Sequence, residues 1–386
     1  MGDESERTRG ALGGVGFAFL MGFVACVAIA RDPAALLGPP LLFEDGRDVL
    51  AFFYDTRGPS TWFREWAGYV VLVPNLIGWF ALAAPIEWSP WLLSLGSLGL
   101  ATLALCFIAR ADYGDLEPVA VVRAGGVIVL ALMPVLHHLF WFNSIYSVWS
   151  ANLLLVLLTL APAPADTQTR LVRGFAMALL IFSHALSLVL LPVFVGLAVA
   201  GERFGPGAGR AIPGARGFYA ALACLVVVQQ LVAVDHSAAS PVAPLELIRQ
   251  TSAFLLDRVV FGAVFGDRVI RVLHASGRAP WIAAGAILLL GFVAASLLAA
   301  RARIDRRRGF ALALLAWVIV ATTAASVVGR GLDLDFLRSG RGARLFWVQR
   351  VCFLMLLLWS ARLAWRTRWP SGAPRPLLAA LIALAA

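Results

Sequence analysis

Apolar runs near 20 residues recur along the whole of this chain, and that recurrence constrains its fold more than any other feature. At 1.5 Å per residue such a run crosses a hydrocarbon core about 30 Å thick, and a helix satisfies its backbone polar groups without water. Hydropathy predicts about ten spans, at 11–30, 67–84, 91–109, 119–136, 145–160, 174–199, 217–234, 280–299, 309–327 and 345–365. The expected fold is all-α, a polytopic transmembrane helical bundle forming one integral membrane domain over 1–386. A soluble reading fails on composition: 61% of residues are hydrophobic and 14% charged, against about 45–50% and 25% in soluble domains.

The charge pattern orients the bundle. All 32 basic residues are arginine, which excludes chemistry needing a lysine amine, such as a phosphate-loop lysine or a Schiff base. The net charge of +10 lies mostly in short segments between apolar runs, so the expected partner is the lipid bilayer and not nucleic acid. Arg301, Arg303, Arg306, Arg307 and Arg308 crowd one loop, and Arg362, Arg366 and Arg368 follow the last span. By the positive-inside tendency both termini are cytoplasmic, and 31–66, 235–279 and 328–344 face the other side. Two features strain this alternation. Arg170 and Arg173 fall outside, and Ser183-His184 with Pro192 interrupt the run 174–199, which also reads as two half-helices. The four cysteines lie inside apolar runs without metal-ligand spacing and read as packing residues.

The first outer loop carries the strongest local signal, the acidic pair Glu44-Asp45 followed by Gly46. Adjacent carboxylates repel unless a cation, a proton or an arginine offsets them, which suits metal binding or a base of tuned pKa. The same pair also suits a plain helix start, because acidic side chains favour a helix N-terminus. Val49–Tyr54 reads as a short interface helix, and Pro244–Leu273 as a second one in the later outer loop. Among the five histidines none has helix-face metal spacing, and His236, beside Asp235 at the outer end of a span, is best placed to face a cavity. Gln229, Gln230 and Arg123 are polar within apolar runs, positions that serve equally as cavity lining or helix–helix hydrogen bonding.

The order of these features resembles the GT-C superfamily of membrane glycosyltransferases. The likeness rests on the Glu-Asp-Gly of the first outer loop, then Trp66-Ala67-Gly68-Tyr69 running into Val73-Pro74, and Gly342-Ala343-Arg344-Leu345-Phe346 before the last span. The family pattern differs here at Asn75, where an arginine is common, and at Leu345, where a tyrosine is common. The resemblance implies a sugar donor on polyprenyl phosphate, used at the outer face of the cytoplasmic (inner) membrane, with a cell-envelope glycan, lipid or protein as acceptor. It implies a catalytic role for Asp45 with Glu44 beside it, as base or as holder of a divalent cation, Mg or Mn. The departing phosphate implies arginine, supplied by Arg344, Arg341 or Arg338, or by Arg64, with Tyr69, His236 and His184 completing the substrate-binding set. Two other classes remain open: an envelope polymerase or ligase, with its important residues in the late outer loop, and a transporter or scaffold.

Overall fold

The computed structural model describes residues 12–39, 44–56, 58–66, 69–114, 116–133, 141–164, 166–201, 214–233, 243–328 and 345–368. It is a helical bundle in two compact units, one drawn from 1–127 and 137–236, the other from 128–136 and 237–386. Among the described residues, five helical stretches are long and apolar enough to cross a membrane: Gly14–Arg31, Ile86–Ala109, Ala279–Ala300, Arg306–Val328 and Trp347–Trp365. They coincide with five of the expected spans. At the other five expected spans the described apolar helical stretches are 10–17 residues long.

In the first unit, α1 (Gly14–Arg31) leads through a turn whose Leu36 carbonyl accepts from Trp91 Nε1 (3.0 Å). Trp91 lies in the first turn of α3 (Ser89–Cys106), so the end of α1 meets the start of α3 and the two run antiparallel. Between them lie a two-stranded hairpin, β1 (Glu65–Trp66) with β2 (Tyr69–Val70), and α2 (Leu72–Leu82). Ser89 Oγ donates to the Ala81 carbonyl (3.1 Å), which ties the end of α2 to the start of α3. The whole stretch from 32 to 88 therefore begins and ends at the same end of the unit. Within the expected span 67–84, α2 has 11 residues, about 16 Å of helix, which is shorter than a full crossing.

α4 (Ala120–Leu132), α5 (Ser147–Leu160) and α6 (Thr167–Ile181) follow. Tyr113, just beyond α3, donates to the Leu157 carbonyl (2.6 Å), so the ends of α3 and α5 lie together. Arginines close those ends. Arg123 donates to Ala109 and Glu117 carbonyls, and Arg173 to those of Leu158, Ala161 and Pro162. Carbonyls at a helix C-terminus lack intrahelical donors and carry the negative end of the dipole, so a guanidinium satisfies both demands.

The run 174–199 is a hairpin and not a single span. α6 stops at Ile181, residues 182–184 are non-helical, and a 3-10 turn, Ala185–Leu190, leads into α7 (Leu191–Ala200). Both arms pack on α8 (Ala215–Ala233). Gly214 lies against Arg170 near the start of α6, Gly201 against Arg216 after α7, and Gln230 Nε2 donates to the Ala185 carbonyl (3.2 Å) at the bend. The chain thus climbs along α8 and returns. Positive φ at Gly201 (62°) and Gly214 (76°) is what lets the backbone turn at these contacts. As a result Arg110, Arg170, Arg173 and Arg216 gather at the end where α1 begins, whereas simple alternation of the expected spans puts Arg170 and Arg173 at the opposite end.

In the second unit, α9 (Pro244–Phe254) passes through a π-helical stretch, Leu255–Phe261, into α10 (Gly262–Ala275), which breaks at Gly266 (φ 77°). α11 (Ala279–Ala300) and α12 (Arg306–Val328) flank the arginine-rich turn, where Asp305 accepts from the Arg308 backbone N–H (2.8 Å). α13 (Trp347–Arg368) packs on both. The expected interface element Pro244–Leu273 is helical, yet Phe254, Arg258, Val259, Val260, Phe261 and Ile270 are buried in the unit while Leu245, Ile248, Val269 and Val272 stay exposed. Its core is an ion-pair network at the end of the bundle opposite the arginine-rich turn. Arg350 holds Asp267 bidentately (2.8 and 2.6 Å), Arg258 donates to the same carboxylate (3.1 Å), and Arg350 Nε donates to the Arg258 carbonyl (2.6 Å). Gly262 admits this network, because a Cβ there meets Arg350 Nη2 at 2.9 Å.

Candidate functional site

The acidic motif begins a π-helical turn, Glu44–Ala51, that continues into a short α-helix, Phe52–Asp55. The wider π turn rotates successive side chains away from the i+4 register, a geometry found often at functional sites. Val49, Leu50 and Phe53 are buried, and Val49 and Phe53 press on Gly78 of α2. The segment expected as an interface helix is thus docked on α2, with Ala51 and Tyr54 outward.

Asp45 is 3% exposed. Its carboxylate Oδ1 accepts from the Ser144 backbone N–H (3.1 Å) and from Ser144 Oγ (2.6 Å). The turn carrying Ser144 is fixed in turn: Asn143 Oδ1 accepts from the Tyr146 N–H (3.1 Å), and its carbonyl accepts from Ser97 Oγ (2.8 Å) in the middle of α3. Two donors on one oxygen hold the carboxylate in a single orientation. Among the described residues no group of three or more metal-ligating side chains forms. The Glu44 side chain lies outside the described residues.

Tyr69 and His184 meet, their ring centres 4.7 Å apart, and Trp149 stands 4.8 Å from His184. His184 Nδ1 accepts from the Leu186 N–H (2.9 Å), so the imidazole caps the 3-10 turn and carries its proton on Nε2. Trp149 is five residues beyond Ser144, so the start of α5 serves both the carboxylate and the aromatic cluster. Arg64 stacks its guanidinium 3.7 Å over the Phe52 ring. Asn75 is buried, and its amide donates to the Trp62 (2.8 Å) and Arg64 (3.0 Å) carbonyls. It pins the loop before the hairpin onto α2. Arg338, Arg341, Arg344 and His236 lie outside the described residues.

Sequence reasoning missed Ser144, whose tie to Asp45 spans 99 positions. It also missed Arg258 and Arg350 as a pair. In comparisons with family models, curated proteins and solved structures, nothing matches this chain.

Proposed function

We propose that this chain is a polytopic membrane glycosyltransferase that moves a sugar from polyprenyl phosphate to a cell-envelope acceptor, with Asp45 as the base. The observation that carries this reading is the carboxylate of Asp45, buried in a π-helical turn and aimed by two Ser144 donors. In transfer with inversion, the acceptor hydroxyl loses its proton as its oxygen attacks the anomeric carbon, and the lipid phosphate departs with the bonding electron pair. A fixed carboxylate takes that proton without reorganising. The orientation proposed is cytoplasmic for the end of the first unit that gathers Arg110, Arg170, Arg173 and Arg216, and for the arginine-rich turn of the second. On that orientation 32–88, with Asp45, belongs to the outer face of the inner membrane.

A second reading, an envelope polymerase or ligase acting through its later segment, is favoured by the buried Arg258–Asp267–Arg350 network. Ionisable groups within a membrane bundle are costly and usually functional. The deciding assay is sugar transfer from a labelled polyprenyl-phosphate donor in proteoliposomes. The transferase reading expects Asp45→Asn to lower kcat at least a hundredfold, with Arg271→Ala, a change on the exposed face of α10, nearly silent. Full activity in Asp45→Asn removes Asp45 from the chemistry; a loss confined to Arg271→Ala favours the second reading.

A further inference from the structure

Among the described residues of the first unit, several enclosed neutral side chains hold polar atoms without a hydrogen-bond partner, and three of them concern one junction: Asn152 Nδ2, Ser187 Oγ, and both Nε2 and Oε1 of Gln229. Their exposures are 6%, 1% and 0%. Register brings them to one level. Asn152 is one α-helical turn beyond Trp149, Ser187 is one 3-10 turn beyond His184, and the Trp149 and His184 rings are in contact. α5 and the 3-10 turn run in the same direction from that contact. Gln229 adjoins Gln230, whose amide reaches the Ala185 carbonyl on the same 3-10 turn. Leaving a buried donor or acceptor unmet costs roughly 1–3 kcal/mol, so a junction holding several of them is destabilised as it stands. These groups include donors and acceptors that complement one another, yet they do not pair.

The chemistry of a guest follows from what is present and what is missing. Ser147–Leu160, Ala185–Leu190 and Tyr219–Ala233 contain no charged residue, so nothing there offsets an anion or ligates a metal. Tyr69, His184 and Trp149 give the level above an aromatic wall. We propose that the junction of α5, the 3-10 turn Ala185–Leu190 and α8 is a binding site for a neutral small molecule bearing both hydrogen-bond donors and acceptors, closed in this structure. It opens by a swing of the 3-10 turn about residues 182–184. His184 there is extended (φ −165°, ψ 142°), so the bend interrupts the helical hydrogen-bond ladder and can act as a hinge. This site requires binding alone and stands whether or not Asp45 is a base.

The test uses the full chain in nanodiscs with its four native cysteines replaced, and iodoacetamide, a neutral amide, as the probe. Ser187→Cys and Asn152→Cys are expected to be alkylated at least tenfold faster than Ala151→Cys, a fully buried control on the same helix. Excess glycerol is expected to slow both reactions. In the Ser187→Cys background, Gln229→Leu is expected to raise the unfolding midpoint and slow labelling, since it removes the unmet amide and with it the drive to open. Rates no faster than the Ala151→Cys control overturn the opening, and rates indifferent to glycerol overturn the binding. A Gln229→Leu change that lowers the midpoint and leaves labelling unaltered overturns the assignment of Gln229.

Discussion

Single residues carry the sharpest consequences. Ser144→Ala keeps the backbone donor to Asp45 and removes the shorter hydroxyl bond. A hydrogen bond to a charged group is worth about 1.5–3 kcal/mol, so the variant is expected to lose roughly ten- to a hundredfold in kcat, with KM little changed. A larger rise in KM than fall in kcat would mark Ser144 as a substrate contact instead. Asp267 gives a stability test. Burial alone raises its pKa, but Arg350 first and Arg258 second outweigh that, and the carboxyl titrates below its ordinary range. The folded value is therefore below the unfolded one, about 3.9. Its contribution is present above that value and is lost as pH falls through the folded one. Asp267→Ala leaves two buried guanidiniums short of a partner and is expected to cost about 3–5 kcal/mol at neutral pH. Unfolding followed by circular dichroism across acidic pH measures this, and Asp267→Asn is expected to flatten the acid limb.

At the level of elements, the departures from simple alternation have a common cause. Hydropathy reports that a helix is apolar, not how far it runs, so the 11-residue α2 reads like a full span. What limits α2 is the anchoring of both its ends. The Leu72 N–H donates to the Phe182 carbonyl (3.1 Å), and Ser89 holds the Ala81 carbonyl. The break in the run 174–199 was legible, since Ser183-His184 interrupts the apolar pattern where α6 stops. The close fit of the motif turn on α2 was not legible, because it depends on Gly78 lying under Val49. A Cβ at 78 meets Val49 Cγ1 at 2.4 Å and Phe53 Cε2 at 3.2 Å. Gly78→Ala is thus expected to destabilise by about 1–3 kcal/mol and to lower any activity that depends on Asp45, because the displaced turn carries that residue. Asp166 begins α6 as its cap, accepting from the Thr169 N–H (2.7 Å). Asp166→Ala is expected to lower the unfolding midpoint slightly, with transfer unaffected.

For the molecule as a whole, the all-helical bundle was plain from composition and periodicity, and five of the expected spans are full-length helices. Asp45 was singled out from local pattern, and Tyr69 and His184 through the family resemblance; the contacts of all three are specific. Their partners were hidden for a physical reason: Ser144 and Trp149 reach them only after distant segments pack, and no local period reports that. The arginines show the same limit. Arg170 and Arg173 look misplaced along the chain, yet they sit where helix C-termini expose carbonyls. The sidedness that follows is the claim on which the orientation, the outer location of Asp45 and the transfer chemistry all depend. Cysteine labelling of intact cells with a membrane-impermeant reagent tests it, using Thr56→Cys, Ile86→Cys and Gln168→Cys in a cysteine-free background. Labelling of 56 and 86 from outside, with 168 protected until the membrane is opened, is the predicted result; protection of 86 alongside labelling of 56 would mean that α2 crosses after all, and would contradict this account.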